Sequence, residues 1–216
     1  MRGQNLKCIA SVGAIALVSL AGTASADVIL PLGMGWEAVI TGSNVTLTVV
    51  PSTDGVLHLT KDAVFTEIDP FTGAPMPITI MFRQVLPDNQ TASQIIIDSE
   101  MIMNLTGLNW DGFRQILGLS NNVSFDPSST GMSVGPEFTT NTLLNGNREM
   151  LSNGGPGVAN GAMWMPGATG ALVININLAG QDSPVIFTLK ELPTVPTPGA
   201  VALGAIGLAA MGRRRR

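Results

Sequence analysis

Residues 45–49 read Val45-Thr46-Leu47-Thr48-Val49. Apolar and polar side chains alternate, and most are β-branched, which suits a strand with one face in a core and the other in water. The same texture recurs on either side. Residues 51–55 supply a turn, and residues 56–60 and 63–68 read as the next strands. Asp69-Pro70-Phe71-Thr72-Gly73-Ala74-Pro75 breaks the chain again. Residues 78–84 and 94–98 continue the series around Pro87-Asp88-Asn89, and Met101, Met103 and Leu105 share one face of another strand. Late in the chain, residues 171–178 and 185–189 flank the breaker Gly180-Gln181-Asp182-Ser183-Pro184. Short strands about ten residues apart, separated by Gly, Pro and Asn, predict an all-β fold. The expected architecture is an antiparallel β-sandwich, Ig-like or jelly-roll-like, over residues 27–192. Long helical periodicity is missing, which argues against a βαβ arrangement.

Two stretches fit this pattern less simply. Trp110, Phe113 and Leu117 fall at helical spacing. Residues 131–170 are rich in Gly and Asn, and Asn153-Gly154-Gly155-Pro156-Gly157 reads as incompatible with a regular element. A long loop is expected there, and loops of that length are commonly functional or mobile. Inside it lies Met163-Trp164-Met165-Pro166. Trp164 either pins the loop to the core or presents a ring to a sugar or a protein partner. Trp110 and Trp36 are the other candidate aromatic contacts.

The chain ends carry a different signal. Arg2 and Lys7 precede an apolar run over residues 8–20, and Ala24-Ser25-Ala26 matches the A-x-A site of a secretory signal peptide. The segment 1–26 is therefore expected to form a signal helix that signal peptidase cuts after Ala26, leaving Asp27 first. Cys8, the single cysteine, would leave with it, so the mature chain would have neither disulfide nor thiolate site. Such an exported protein must rely on its core. Between residues 27 and 192 there are five basic and fifteen acidic side chains, a balance of −10 against −4 for the whole sequence. That excess argues against nucleic acid as a partner, since phosphate binding needs clustered Lys and Arg.

The other end runs Pro193-Thr194-Val195-Pro196-Thr197-Pro198, then an apolar segment over residues 199–212, then Arg213, Arg214, Arg215 and Arg216. The apolar segment has 14 residues, four of them Gly and five Ala. A stable spanning helix needs about 20, so this short apolar helix would be a marginal permanent anchor. The arginines would hold the C-terminus on the cytoplasmic side. A short removable apolar tail follows the logic of anchor-exchange signals. The plainer alternative is a C-terminal membrane helix with stop-transfer arginines.

The three features in this order resemble a PEP-CTERM sorting signal, the tail that membrane-bound exosortases recognise on exported bacterial proteins. The family pattern has Pro-Glu-Pro where this chain has Pro196-Thr197-Pro198. The resemblance implies that the sorting tail is residues 193–216. It also implies exosortase as a partner, a membrane tether before processing, and residence at the cell envelope, cell surface or extracellular matrix in association with exopolysaccharide. Residues 103–113 resemble a strand–turn–strand unit of such proteins, in which an Asn-x-Thr-Gly turn precedes a Trp and an aromatic. On that likeness residues 101–106 and 112–117 are expected to pair. Phe187-Thr188-Leu189-Lys190-Glu191-Leu192-Pro193 resembles the last strand before such tails.

Catalytic patterns are suggested and then fail. Gly131-Met132-Ser133-Val134-Gly135 matches G-x-S-x-G, but the nucleophile elbow needs a His after the Ser, and the sole histidine, His58, precedes it. His58 lacks a second His or a Cys for zinc or copper and reads as a polar-face residue. Glu67/Asp69 and Asp98/Glu100 stand two apart, so each pair is expected on one face, as solvated charge rather than a glycosidase or calcium pair. No Gly-Lys-Ser/Thr follows Gly154-Gly155-Pro156-Gly157, so it is not a phosphate loop. N-x-S/T matches begin at Asn44, Asn89, Asn104 and Asn122; such matches arise by chance in an Asn- and Thr-rich β-protein, and in the bacterial host that the tail implies most are expected to stay unmodified. The expectation is a non-enzymatic surface or matrix protein without metal or cofactor. The runner-up is a carbohydrate-binding module using an exposed Trp, and a polysaccharide-active enzyme comes third.

Overall fold

In a computed structural model the described residues are 27–42, 44–131, 135–166, 170–179 and 184–196. They form two β-sheets packed face to face. One sheet has the order β1-β2-β5-β13-β7-β10-β9. Its strands are β1 (Val28–Gly33), β2 (Trp36–Ile40), β5 (Ile78–Gln84), β7 (Trp110–Gly118), β9 (Thr140–Leu144), β10 (Glu149–Val158) and β13 (Ile186–Thr194). The other has the order β3-β4-β6-β12-β8. It comprises β3 (Val45–Val50), β4 (Leu57–Phe65), β6 (Gln94–Asn104), β8 (Val123–Phe125) and β12 (Leu172–Ile176), with β11 (Met163–Trp164) also paired to β6. The expected all-β, two-sheet architecture is present. It is not wholly antiparallel, since β4 and β6 run parallel. Both signal helices expected from the sequence fall outside the described residues.

The strand pattern departs from expectation in several places. Residues 56–60 and 63–68 are not two strands: β4 runs unbroken from Leu57 to Phe65, and its alternation passes straight through Lys61-Asp62. Residues 101–106 and 112–117 are strands but not partners. β6 and β7 lie in opposite sheets, so the turn between them crosses the sandwich. Asn104 braces that turn. Its side-chain oxygen accepts from the Thr106 backbone N–H and hydroxyl, while Nδ2 donates to the carbonyls of Leu108 and Val158. The Thr106 hydroxyl in turn accepts from the Trp110 indole. Asn104 is 0 % exposed, so this sequon is a structural bracket.

Residues 131–170 are not one long loop. They hold β9, β10 and β11, and β10 passes through the glycine run. Against β7 its register jumps between Asn153, opposite Gly112, and Val158, opposite Trp110, so the glycines form a wide bulge. Gly157 has φ +76°, and a Cβ there would stand 1.8 Å from the Trp110 carbonyl oxygen. Only glycine fits so close a backbone approach.

One apolar cluster fills the interior around Trp36, Leu59, Phe82, Ile97, Leu117, and Leu189. A second gathers Ala63, Phe65, Ile102, Trp110, Phe113 and Trp164, with Val195 packed against it. The body therefore extends past residue 192: β13 ends at Thr194, whose hydroxyl bonds Asp111. Each of the pairs β1–β2, β2–β5 and β5–β13 is antiparallel. β1 therefore starts at the end of the sheet toward which β13 runs.

Candidate functional site

Four polar side chains lie between the two apolar clusters. On β4, Lys61 occupies the inward position between Leu59 and Ala63; on β13, Glu191 follows inward Leu189. On β7, Gln115 lies between inward Phe113 and Leu117. Glu100 arrives by a bulge in β6. Leu59 pairs with Ile97 but Thr60 with Ser99, so Asp98 is an extra residue. Inward positions are Ile95 and Ile97 before it and Glu100, Ile102 and Asn104 after it. The expectation that Asp98 and Glu100 share a solvated face is corrected: Asp98 keeps the outward parity of Ile96, and the bulge after it turns Glu100 into the core.

Lys61 faces its neighbour Glu100 in one sheet, and Glu191 pairs with Gln115 in the other. Across the gap Lys61 Nζ donates to Glu191 Oε1, and it stands 3.4 Å from Glu100 Oε1. Gln115 Nε2 donates to both Glu100 oxygens at 3.2 Å and to Glu191 Oε1 at 3.1 Å. The side chains of Lys61, Glu100 and Glu191 are all 0 % exposed. Two carboxyls thus share one ammonium out of contact with bulk solvent. Burial, only partly offset by Lys61, pushes the Glu100 pKa up to about 7. Burial also opposes the Lys61 ammonium, but the two carboxylates outweigh it and raise its pKa above the ordinary lysine value. Glu191 Oε2 and Gln115 Oε1 are buried without a hydrogen-bond partner.

Outside the core, Asp98 meets His58. Nδ1 lies 3.0 and 3.1 Å from the Asp98 oxygens, and Nε2 lies 3.1 Å from Asp54 Oδ2. The hydrogen bond to Asp98, above all, raises the His58 pKa. Asp54 falls to about 2, chiefly through the Ser52 hydroxyl and the Val56 N–H. His58 is half-buried on the polar side of β4, as its alternation implied. Among the described residues no group of three or more His, Cys, Asp and Glu could hold a metal.

Two depressions open on the surface. One of about 470 Å³ is bordered by Asp27, Thr41, Asn44, Phe65, Glu67 and Ile78. The other, about 380 Å³, is polar and lined by Ser124, Asn121, Arg148, Asn175 and Asn177 among others.

The nominated aromatic contacts are corrected. Trp36, Trp110 and Trp164 are each 1 % exposed, so none offers a ring face to a ligand. Trp36 donates its indole N–H to the Ala92 carbonyl and packs edge-on against Phe187. Trp164 sits edge-on to Phe113 and Phe138, pinning its segment to the core. Of the sorting residues only Pro196 is described; Thr197, Pro198 and Arg213 to Arg216 lie outside the described residues, as do Ala24, Ala26 and Ser133. Asp27 is described and accepts from the Thr41 hydroxyl at 2.7 Å.

Sequence reasoning missed Lys61, Gln115 and Glu191. The usable signal was their register with apolar neighbours, as in Leu57-x-Leu59-x-Lys61-x-Ala63-x-Phe65. No family model, no curated protein and no solved structure matches this chain. No helix among the described residues is long and apolar enough to cross a membrane.

Proposed function

We propose that this is an exported, non-enzymatic cell-surface or matrix protein delivered by an exosortase. In this reading an Ig-like or jelly-roll-like two-sheet body is flanked by a signal helix and a short apolar helix. Signal peptidase releases Asp27, the tail tethers the chain to the membrane, and exosortase processing transfers the body to the exopolysaccharide-bearing surface.

The observation that supports it best is where the body stops. β13 is an interior strand of the seven-stranded sheet, and its pairing with β7 runs to Thr194. Pro196-Thr197-Pro198 begins two residues later. A cut after Pro196 would leave every pairing of β13 with β5 and β7 in place, as a disposable signal requires. Asp27 and Pro196 also lie at the same end of the seven-stranded sheet, the arrangement expected if that end faces the membrane during export.

The test is deletion of residues 196–216 in the native host. The truncated chain is expected in the medium rather than in the cell-envelope fraction. Retention in the envelope at the full-length level would refute the reading.

A further inference from the structure

We propose that Lys61 and Glu191 become joined by an amide bond between their side chains, formed by the folded protein itself, with Glu100 moving the protons.

Three observations carry this. The first is placement. Lys61 Nζ contacts Glu191 Oε1 across the sandwich, 130 positions away in sequence. Well-oriented intramolecular pairs reach effective molarities of about 10⁵–10⁸ M, and here the whole fold holds the pair. The second is dryness. With all three charged side chains wholly enclosed, the ionic forms lose the hydration that keeps an amine and an acid from condensing in water. Moving one proton from Nζ to Glu191 gives the free amine and neutral carboxyl that reaction needs, with no change in net charge. The third is the company. Glu100 Oε1, 3.4 Å from Nζ, can take the proton of the attacking amine and return it to the departing oxygen. Gln115 Nε2, 3.1 Å from Glu191 Oε1, donates where negative charge develops.

The step balances without a co-reactant. The Nζ–Cδ bond forms and the Cδ–Oε2 bond breaks. Nζ sheds two protons, which leave on Oε2 as one water molecule, and Glu100 ends as it began. The departing oxygen is one of the buried atoms without a hydrogen-bond partner, so the reaction removes an orphaned acceptor. In a body whose sequence holds no cysteine after Cys8, such a bond would tie the last strand before the tail to β4 in the opposite sheet.

The experiment is tryptic peptide mass spectrometry on the full chain purified from an exporting host. Trypsin cannot cut after an acylated Lys61. The expected product is therefore the peptide ending at Arg83 joined to the one beginning at Glu191, lighter than their sum by one water. Cleavage after Lys61 with Glu191 free in all recovered protein would overturn the proposal, leaving only an ion pair. A Lys61 joint to Gln115, lighter by ammonia, or to Glu100 would overturn it as well. The Glu100→Gln variant is the second arm, with its fold checked by circular dichroism. Losing an acid–base group slows such steps about 10²–10⁴-fold, so freshly purified variant should be unlinked. Linking at the parent rate would remove Glu100 from the scheme.

Discussion

Glu100 stands opposite Lys61 only because Asp98 is an extra residue in β6. Without that bulge the inward parity of Ile95 and Ile97 would continue, and Glu100 would point to solvent. The polar cluster that divides the core thus depends on one backbone irregularity.

Replacing Lys61 by Met keeps a long side chain but leaves Glu100 and Glu191 enclosed without a cation. Removing one partner of a buried pair costs about 3–5 kcal/mol. Urea unfolding of Lys61→Met at neutral pH should show a loss of at least that order. A carboxyl whose folded pKa is raised, as at Glu100, contributes stability that is full below its ordinary 4.5 and lost as pH rises through about 7. The variant should therefore recover part of its stability near pH 5. An unchanged midpoint at neutral pH would contradict the enclosed cluster.

The His58 clamp has its own pH signature. Its folded pKa lies above the ordinary 6.5, so its contribution is present below that value and lost as pH rises through the folded value. The difference in melting temperature between the parent and His58→Gln should shrink as pH rises above the ordinary 6.5 and through the folded value. A constant difference would show that the imidazolium contributes nothing.

Trp164 separates a core role from a ligand role directly. Truncating a buried aromatic costs about 3–5 kcal/mol, and Trp164→Ala should lose stability of that order in denaturant unfolding. Nearly unchanged stability would reinstate an exposed contact.

How much of this was legible follows from particular residues. Residues 78–84 were readable to the residue, because Ile78-Thr79-Ile80-Met81-Phe82 is β-rich and flanked by breakers. β4 reads from sequence as two strands, 56–60 and 63–68, although Lys61 keeps the inward alternation between Leu59 and Ala63. β10 was hidden by its glycines, whose bulge depends on the close passage of the Trp110 carbonyl, a tertiary fact. The pairing of 101–106 with 112–117 failed because a turn of that length can cross between sheets as easily as close a hairpin. No periodicity rule reveals the extra residue at Asp98, so Glu100 was assigned to the wrong face.

The central claim is that both chain ends are transport labels removed around a finished body. Mass spectrometry of the native termini, on protein recovered from the cell surface, tests it most directly. The account predicts a chain that begins at Asp27 and has lost Arg213 to Arg216. Mature protein that begins at Met1 and still carries its four arginines would contradict it.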